Sequence, residues 1–114
     1  MDSGDLERLR EAGTVTTVEA GHVLIERGQY GAGLYVILEG TVVVDAPEAS
    51  RELGPGSVVG ERALLSLDGR RTARVRAVTN VRFLAVDRIA FERLCADDPG
   101  LADRVAALAE LEDA

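Results

Sequence analysis

Apolar and polar positions alternate most cleanly near residue 75. Ala73, Val75 and Ala77 are separated by Arg74 and Arg76, a period of two that predicts a strand with one small, apolar, inward face. Similar short runs recur along the chain. Val15 to Ala20 is rich in Val and Thr, and Val23, Leu24 and Ile25 begin a second strand after Gly21. Leu34 to Glu39 reads as a buried strand, Gly40 as a bend and Thr41 to Asp45 as the next strand. A polar hairpin tip from Asp45 to Ser50 leads into Arg51 to Leu53, and Val81 to Val86 is the last strand. Gly28 to Gly33 and the turn Gly54-Pro55-Gly56 punctuate the series. Many short strands at regular spacing predict a closed or sandwich-like β roll.

Helical periodicity brackets the strands. Asp5 to Ala12 predicts a short amphipathic helix with Leu6 and Leu9 on one face and Gly13 as its stop. Asp87 is placed to N-cap a helix over Arg88 to Ala96, with Ile89, Leu94 and Cys95 set among charges around Phe91. Asp98-Pro99 restarts a helix with proline at its first position. Leu101, Val105, Leu108 and Leu111 then form an apolar stripe, suited to packing on the roll or to serving as a mobile lid or dimer seam. Pro99 and Gly100 make the junction a candidate hinge, and without ligand the stripe is expected to pack loosely or to pair with another subunit. The fold class is mainly β with flanking helices: one domain over 1–114, a roll at about 15–86 and C-terminal helices at about 88–112.

Composition narrows the function. The net charge of −7 argues against wholesale binding to nucleic acid or an anionic membrane. Lysine is absent, which excludes Schiff-base chemistry and a P-loop. Arg62, Arg70, Arg71, Arg74 and Arg76 place five of the 13 arginines in one stretch. Cys95 is alone and reads as core filler, and the single His22 reads as a surface residue at a strand start. One histidine and no paired-carboxylate spacing set aside a metal-dependent or cupin-like enzyme, so the expectation is no catalysis, no metal and no cofactor. Apolar runs are too short for a membrane span, no signal peptide is evident, and a cytoplasmic location is expected.

The chemistry gathers between Gly54 and Ala77. Gly60 and Glu61 open a short helical segment to Leu65, and Asp68-Gly69 turns the chain into Arg70 and Arg71. A helix start offers free N–H groups to a phosphate, and glycine permits close backbone approach. Strand parity extends the inward face of Ala73, Val75 and Ala77 back to Arg71 and turns Arg70 outward. An inward guanidinium needs a partner, and its fork matches two phosphate oxygens. Ionised Glu61 suits a ribose hydroxyl. Together these describe a sugar-phosphate pocket.

Gly60-Glu61-Arg62-Ala63-Leu64-Leu65 followed by Arg71-Thr72-Ala73-Arg74-Val75 resembles the phosphate-binding cassette of the cyclic nucleotide-binding domain family. The resemblance covers about residues 15 to 95 and includes Gly28 to Ile37, Gly40, and Thr79 through Leu94. It implies a double-stranded β-helix of jelly-roll type and a non-catalytic sensor whose ligand is cAMP or cGMP. Gly60 and Glu61 would contact the ribose, while the backbone of Ala63 and Thr72 and the guanidinium of Arg71 would hold the cyclic phosphate. Arg62 and Ala73 complete the cassette. Thr72 would favour acceptance of cGMP. Implied partners are the nucleotide, a fused or separate effector, or a second copy of the chain.

The chain departs from the family pattern in places. Ala32 stands where an aspartate often orients the phosphate arginine, Val59 replaces a phenylalanine, the hairpin at Asp45 to Ser50 is short, and the last helix has no aromatic cap for the base. Ala32 keeps open an alternative in which the roll is a protein-interaction or dimerisation module without ligand.

Overall fold

A computed structural model describes residues 3–26, 33–47, 49–60 and 73–113. Its elements in chain order are α1 (Ser3–Ala12), β1 (Thr14–Val18), β2 (Val23–Ile25), β3 (Gly33–Glu39), β4 (Val42–Asp45), β5 (Ser50–Leu53), β6 (Val58–Val59), β7 (Arg74–Ala77), β8 (Val81–Asp87), α2 (Arg88–Asp97) and α3 (Gly100–Asp113). The strands form two four-stranded antiparallel sheets, ordered β1-β8-β3-β6 and β2-β7-β4-β5. This is the expected mainly β roll with helices before and after it.

Side-chain alternation explains the layering. On β3, Tyr35 and Ile37 point toward the second sheet and join Val59, Phe83, Ile25, Val42, Val75 and Ala77 in the core between the sheets. Leu34 and Val36 point the other way and join Val58, Leu84 and Val86 beneath Leu9, Phe91, Leu101 and Val105 of the helices. The first sheet is therefore covered on both faces, which is why Leu34 to Leu38 is a continuous apolar run. Among the described residues the second sheet is covered on one face only, so β7 alternates exposed Arg74 and Arg76 with buried Val75 and Ala77, as its sequence predicts.

Short links close one end of the roll. The chain passes between sheets at residues 19–22, 40–41, 54–57 and 78–80, all at the end where Ile37, Val42, Ala77 and Val81 are fully buried. Backbone bonds tie that end: Gly21 N–H donates to Ala77 O at 2.7 Å, and Val78 N–H donates to Thr41 O at 2.9 Å. The turn at Pro55-Gly56 has Gly56 at φ 90° and Ser57 N–H donating to Gly54 O at 3.2 Å, a type II geometry that requires glycine at its third position.

Several boundaries differ from the sequence reading for local reasons. β1 ends at Val18 rather than Ala20, because the Ala20 N–H donates to the Asn80 side chain as the chain leaves for the other sheet. β4 begins at Val42 rather than Thr41, whose N–H is taken by the Thr79 hydroxyl. Ile89 is 64% exposed instead of packing around Phe91, since two helical steps place it about 200° away. Asp87 caps α2 as expected, accepting from Ala90 N–H at 2.8 Å. His22 is exposed just before β2, and half-buried Cys95 packs against the helix-side core, where burial pushes its thiol up.

The junction between α2 and α3 breaks at Asp98 (φ −140°, ψ 88°), an extended residue before proline. The loose packing expected beyond it is not found for Leu101 and Val105, both fully buried. The side chains of Leu108 and Leu111 lie outside the described residues. Four charges clasp the junction. Arg8 and Arg104 each pair with both Asp5 and Asp98, at 2.6 and 2.9 Å for Arg8 and at 2.8 and 2.5 Å for Arg104. The ring joins α1, the break and α3. Among the described residues, no helix is long and apolar enough to cross a membrane.

Candidate functional site

The end of the roll opposite the four short links is the less buried one. Tyr35, Val44 and Ala85 are half-buried there, and Tyr35 meets Phe83 edge-to-face with ring centroids 5.1 Å apart. Two predicted site residues lie at this end. β6 runs past Val59, opposite Tyr35, into Gly60. β7 begins at Arg74, opposite Asp45, directly after half-buried Ala73. The register therefore brings Gly60 and Ala73 to the same end of the roll, although they belong to different sheets.

Gly60 holds φ 86°, the left-handed region that glycine enters without steric cost. A side chain here would strain the backbone at the point where the chain leaves the first sheet. Ala73 shares parity with Val75 and Ala77 on the inner face of β7. The other predicted site residues, Glu61, Arg62, Ala63, Arg71 and Thr72, lie outside the described residues, as do the helical segment expected over Glu61 to Leu65, Ala32 and most of the loop expected over Gly28 to Gly33.

Charge at this end is sorted by face. Arg74 points outward, and its Nε donates to Glu26 Oε1 at 2.8 Å. That bond is the main reason the guanidinium is pushed further up, with Asp45 adding to it. Arg74 is thus engaged on the outer face, as strand parity predicts. Arg51 was not singled out by the sequence. It pairs opposite inward Val44, and half-buried Arg51 and Leu53 alternate with exposed Ser50 and Glu52, so Arg51 occupies the inner face at this end. A four-residue edge strand between polar segments shows too little periodicity to disclose that orientation.

The geometry joins a two-sheet roll, a glycine-marked exit from one sheet and a small-residue entry to the other, around an inter-sheet end that carries an inward arginine. This chain belongs to the cyclic nucleotide-binding domain family, whose model matches residues 15–98. A cyclic nucleotide-gated potassium channel of Rhizobium etli is 38% identical over 88 residues, covering 77% of this chain, which spans 24% of that channel's length. A solved structure from work on a cyclic-GMP-dependent signalling pathway that regulates bacterial phytopathogenesis superposes with a TM-score of 0.86 at 27% identity, over 98% of this chain and 93% of that one. The catabolite activator protein of Thermus thermophilus superposes at 0.82 and 25% identity, over 98% of this chain and 55% of its own.

Proposed function

We propose that this domain is a regulatory sensor that binds cAMP or cGMP at the less buried end of the roll and does not transform it. The observation that carries the reading is the shared position of Gly60 and Ala73, which bracket the stretch containing Glu61 and Arg71. In this reading Glu61, with Gly60, takes the ribose. The Arg71 guanidinium and the backbone of Ala63 and Thr72 take the cyclic phosphate, while Arg62 and Ala73 complete the cassette. Outward Arg74, engaged by Glu26, leaves the phosphate to Arg71. Inward Arg51 adds positive potential where the ligand sits, in a chain of net charge −7. No cofactor is required.

The whole of 1–114 acts as one module in this reading, with an effector fused or separate, or a second copy, receiving the signal in the cytoplasm. Nucleic acid and membrane are not partners of this domain, given its negative charge. A ligand shifts such a module only by its differential affinity for two states. Because Leu101 and Val105 are buried and Arg104 is clasped, ligand-driven ordering of the last helix is confined to the part beyond Val105. Hydrogen exchange of 106–113, with and without saturating nucleotide, tests that confinement: protection rises there and stays level over 100–105.

Calorimetric titration with cAMP and with cGMP tests the function, and saturable binding of at least one is expected. Ala32, in place of an aspartate, favours a second reading in which the roll is an interaction module. A flat titration with both nucleotides selects that reading.

A further inference from the structure

The four sheet edges differ in how they are guarded. β5 carries Arg51 and Glu52. β2 has three residues and a register shift between Val23 and Ile25. β6 has two residues. Charge, irregularity and shortness all discourage the addition of another strand. β1 has none of these protections. Its sequence, Thr-Val-Thr-Thr-Val, is β-branched throughout, uncharged and free of proline. It pairs with β8 from Thr14 to Val18 without a bulge, and Thr14 to Thr17 are exposed. Among the described residues, β8 is its sole strand neighbour.

We propose that the outer edge of β1 is a docking site for an extended, basic peptide segment of a partner protein, which adds to the first sheet as a fifth strand. Main-chain hydrogen bonds supply the affinity in this mode, and alternate side chains supply the selectivity. Val15 and Thr17 share the helix-side face of the strand, while Thr14, Thr16 and Val18 share the face toward the other sheet.

Charge favours a basic peptide over a second copy. Exposed Glu11 precedes the strand and exposed Glu19 follows it. Antiparallel self-pairing about Thr16 would set Glu19 against the other copy's Gly13, close to its Glu11, and the net charge of −7 adds to that repulsion. Just before the strand, Glu7, Arg10 and Glu11 leave a negative balance, and Arg82, opposite Thr17 on β8, is 3.6 Å from Glu39. A peptide with a cation at each end meets a carboxylate at each end.

The test is amide hydrogen exchange of the whole chain titrated with the synthetic peptides RVTVTVR, EVTVTVE and RVTPTVR. With RVTVTVR, protection rises across Thr14–Val18. Affinity falls about tenfold for EVTVTVE, from two lost terminal ion pairs, and is abolished by the central proline. T16K weakens RVTVTVR binding through an edge lysine that repels it, and an unchanged melting temperature shows that the variant folds. A variant carrying E11K and E19K leaves the strand itself intact and reverses the preference to EVTVTVE. Equal binding of the acidic and basic peptides overturns the proposal, as does protection confined to other strands. Protection of β1 that rises with protein concentration alone gives the edge to a second copy and equally overturns it.

Discussion

The carboxylate of Asp5 and the guanidinium of Arg104, 99 positions apart, meet through two bonds: Nε to Oδ2 at 2.8 Å and Nη2 to Oδ1 at 2.9 Å. The Asp5 side chain is 1% exposed and that of Arg104 38%. Asp5 therefore bears the desolvation, and Arg104 reaches it from the surface. Removing one partner of such a pair leaves the buried charge with less compensation, whereas neutralising the buried member relieves it. R104M should lower the melting temperature by about 5 °C or more, and D5N should lower it less. A larger loss for D5N would mean that the carboxylate is the irreplaceable organiser of the ring.

The ring also sets an acid limit. Asp98 is held below the usual carboxylate range, chiefly by its bond to Arg104, then by that to Arg8. A carboxylate depressed in the folded state contributes stability that is complete above its unfolded value and is lost as pH falls through the folded one. The loss therefore begins below about pH 4. Arg8 and Arg104 are pushed up by the same bonds and stay charged throughout. Melting temperatures from pH 7 to pH 3 should fall less steeply on the acid side for D98N than for the parent chain. Identical slopes would remove Asp98 from the acid response.

Gly56 and Gly60 both hold a positive φ at opposite ends of the roll, 90° and 86°. Alanine at either position should cost about 1–2 kcal/mol in urea unfolding, the penalty of a left-handed conformation for an L-residue. Their effects on ligand should part. G60A displaces the start of the cassette and weakens nucleotide binding, while G56A, at the closed end, leaves it nearly unchanged. Equal weakening by both would mean that global stability, not cassette position, governs affinity.

The strands were legible wherever one face meets water. Arg74–Ala77 reads correctly because exposed arginines alternate with buried Val75 and Ala77. The cap at Asp87 was legible because capping is local in sequence. The charge ring was not, since its members are brought together by helix packing over a separation of 99 positions, and no periodicity links Asp5 to Arg104. Arg51 was missed for a related reason: its inward direction follows from pairing with Val44, a tertiary fact. The break before Pro99 was read from the chain, but the clasp that ties it was not. At the site, the roles of Gly60 and Ala73 are legible in the sequence pattern, while their convergence on one end of the roll follows from the register of β6 with β3 and of β7 with β4.

The central claim is that residues 60–73 bind a cyclic nucleotide through Arg71. Calorimetric titration of the parent chain beside R71A and R70A tests it most directly. The account predicts saturable binding of cAMP or cGMP by the parent chain and little change in R70A. R71A should lose roughly 30- to 1000-fold, the worth of a charge-assisted bidentate contact in a desolvated pocket. Binding retained by R71A and lost by R70A would contradict the strand parity on which the site is built.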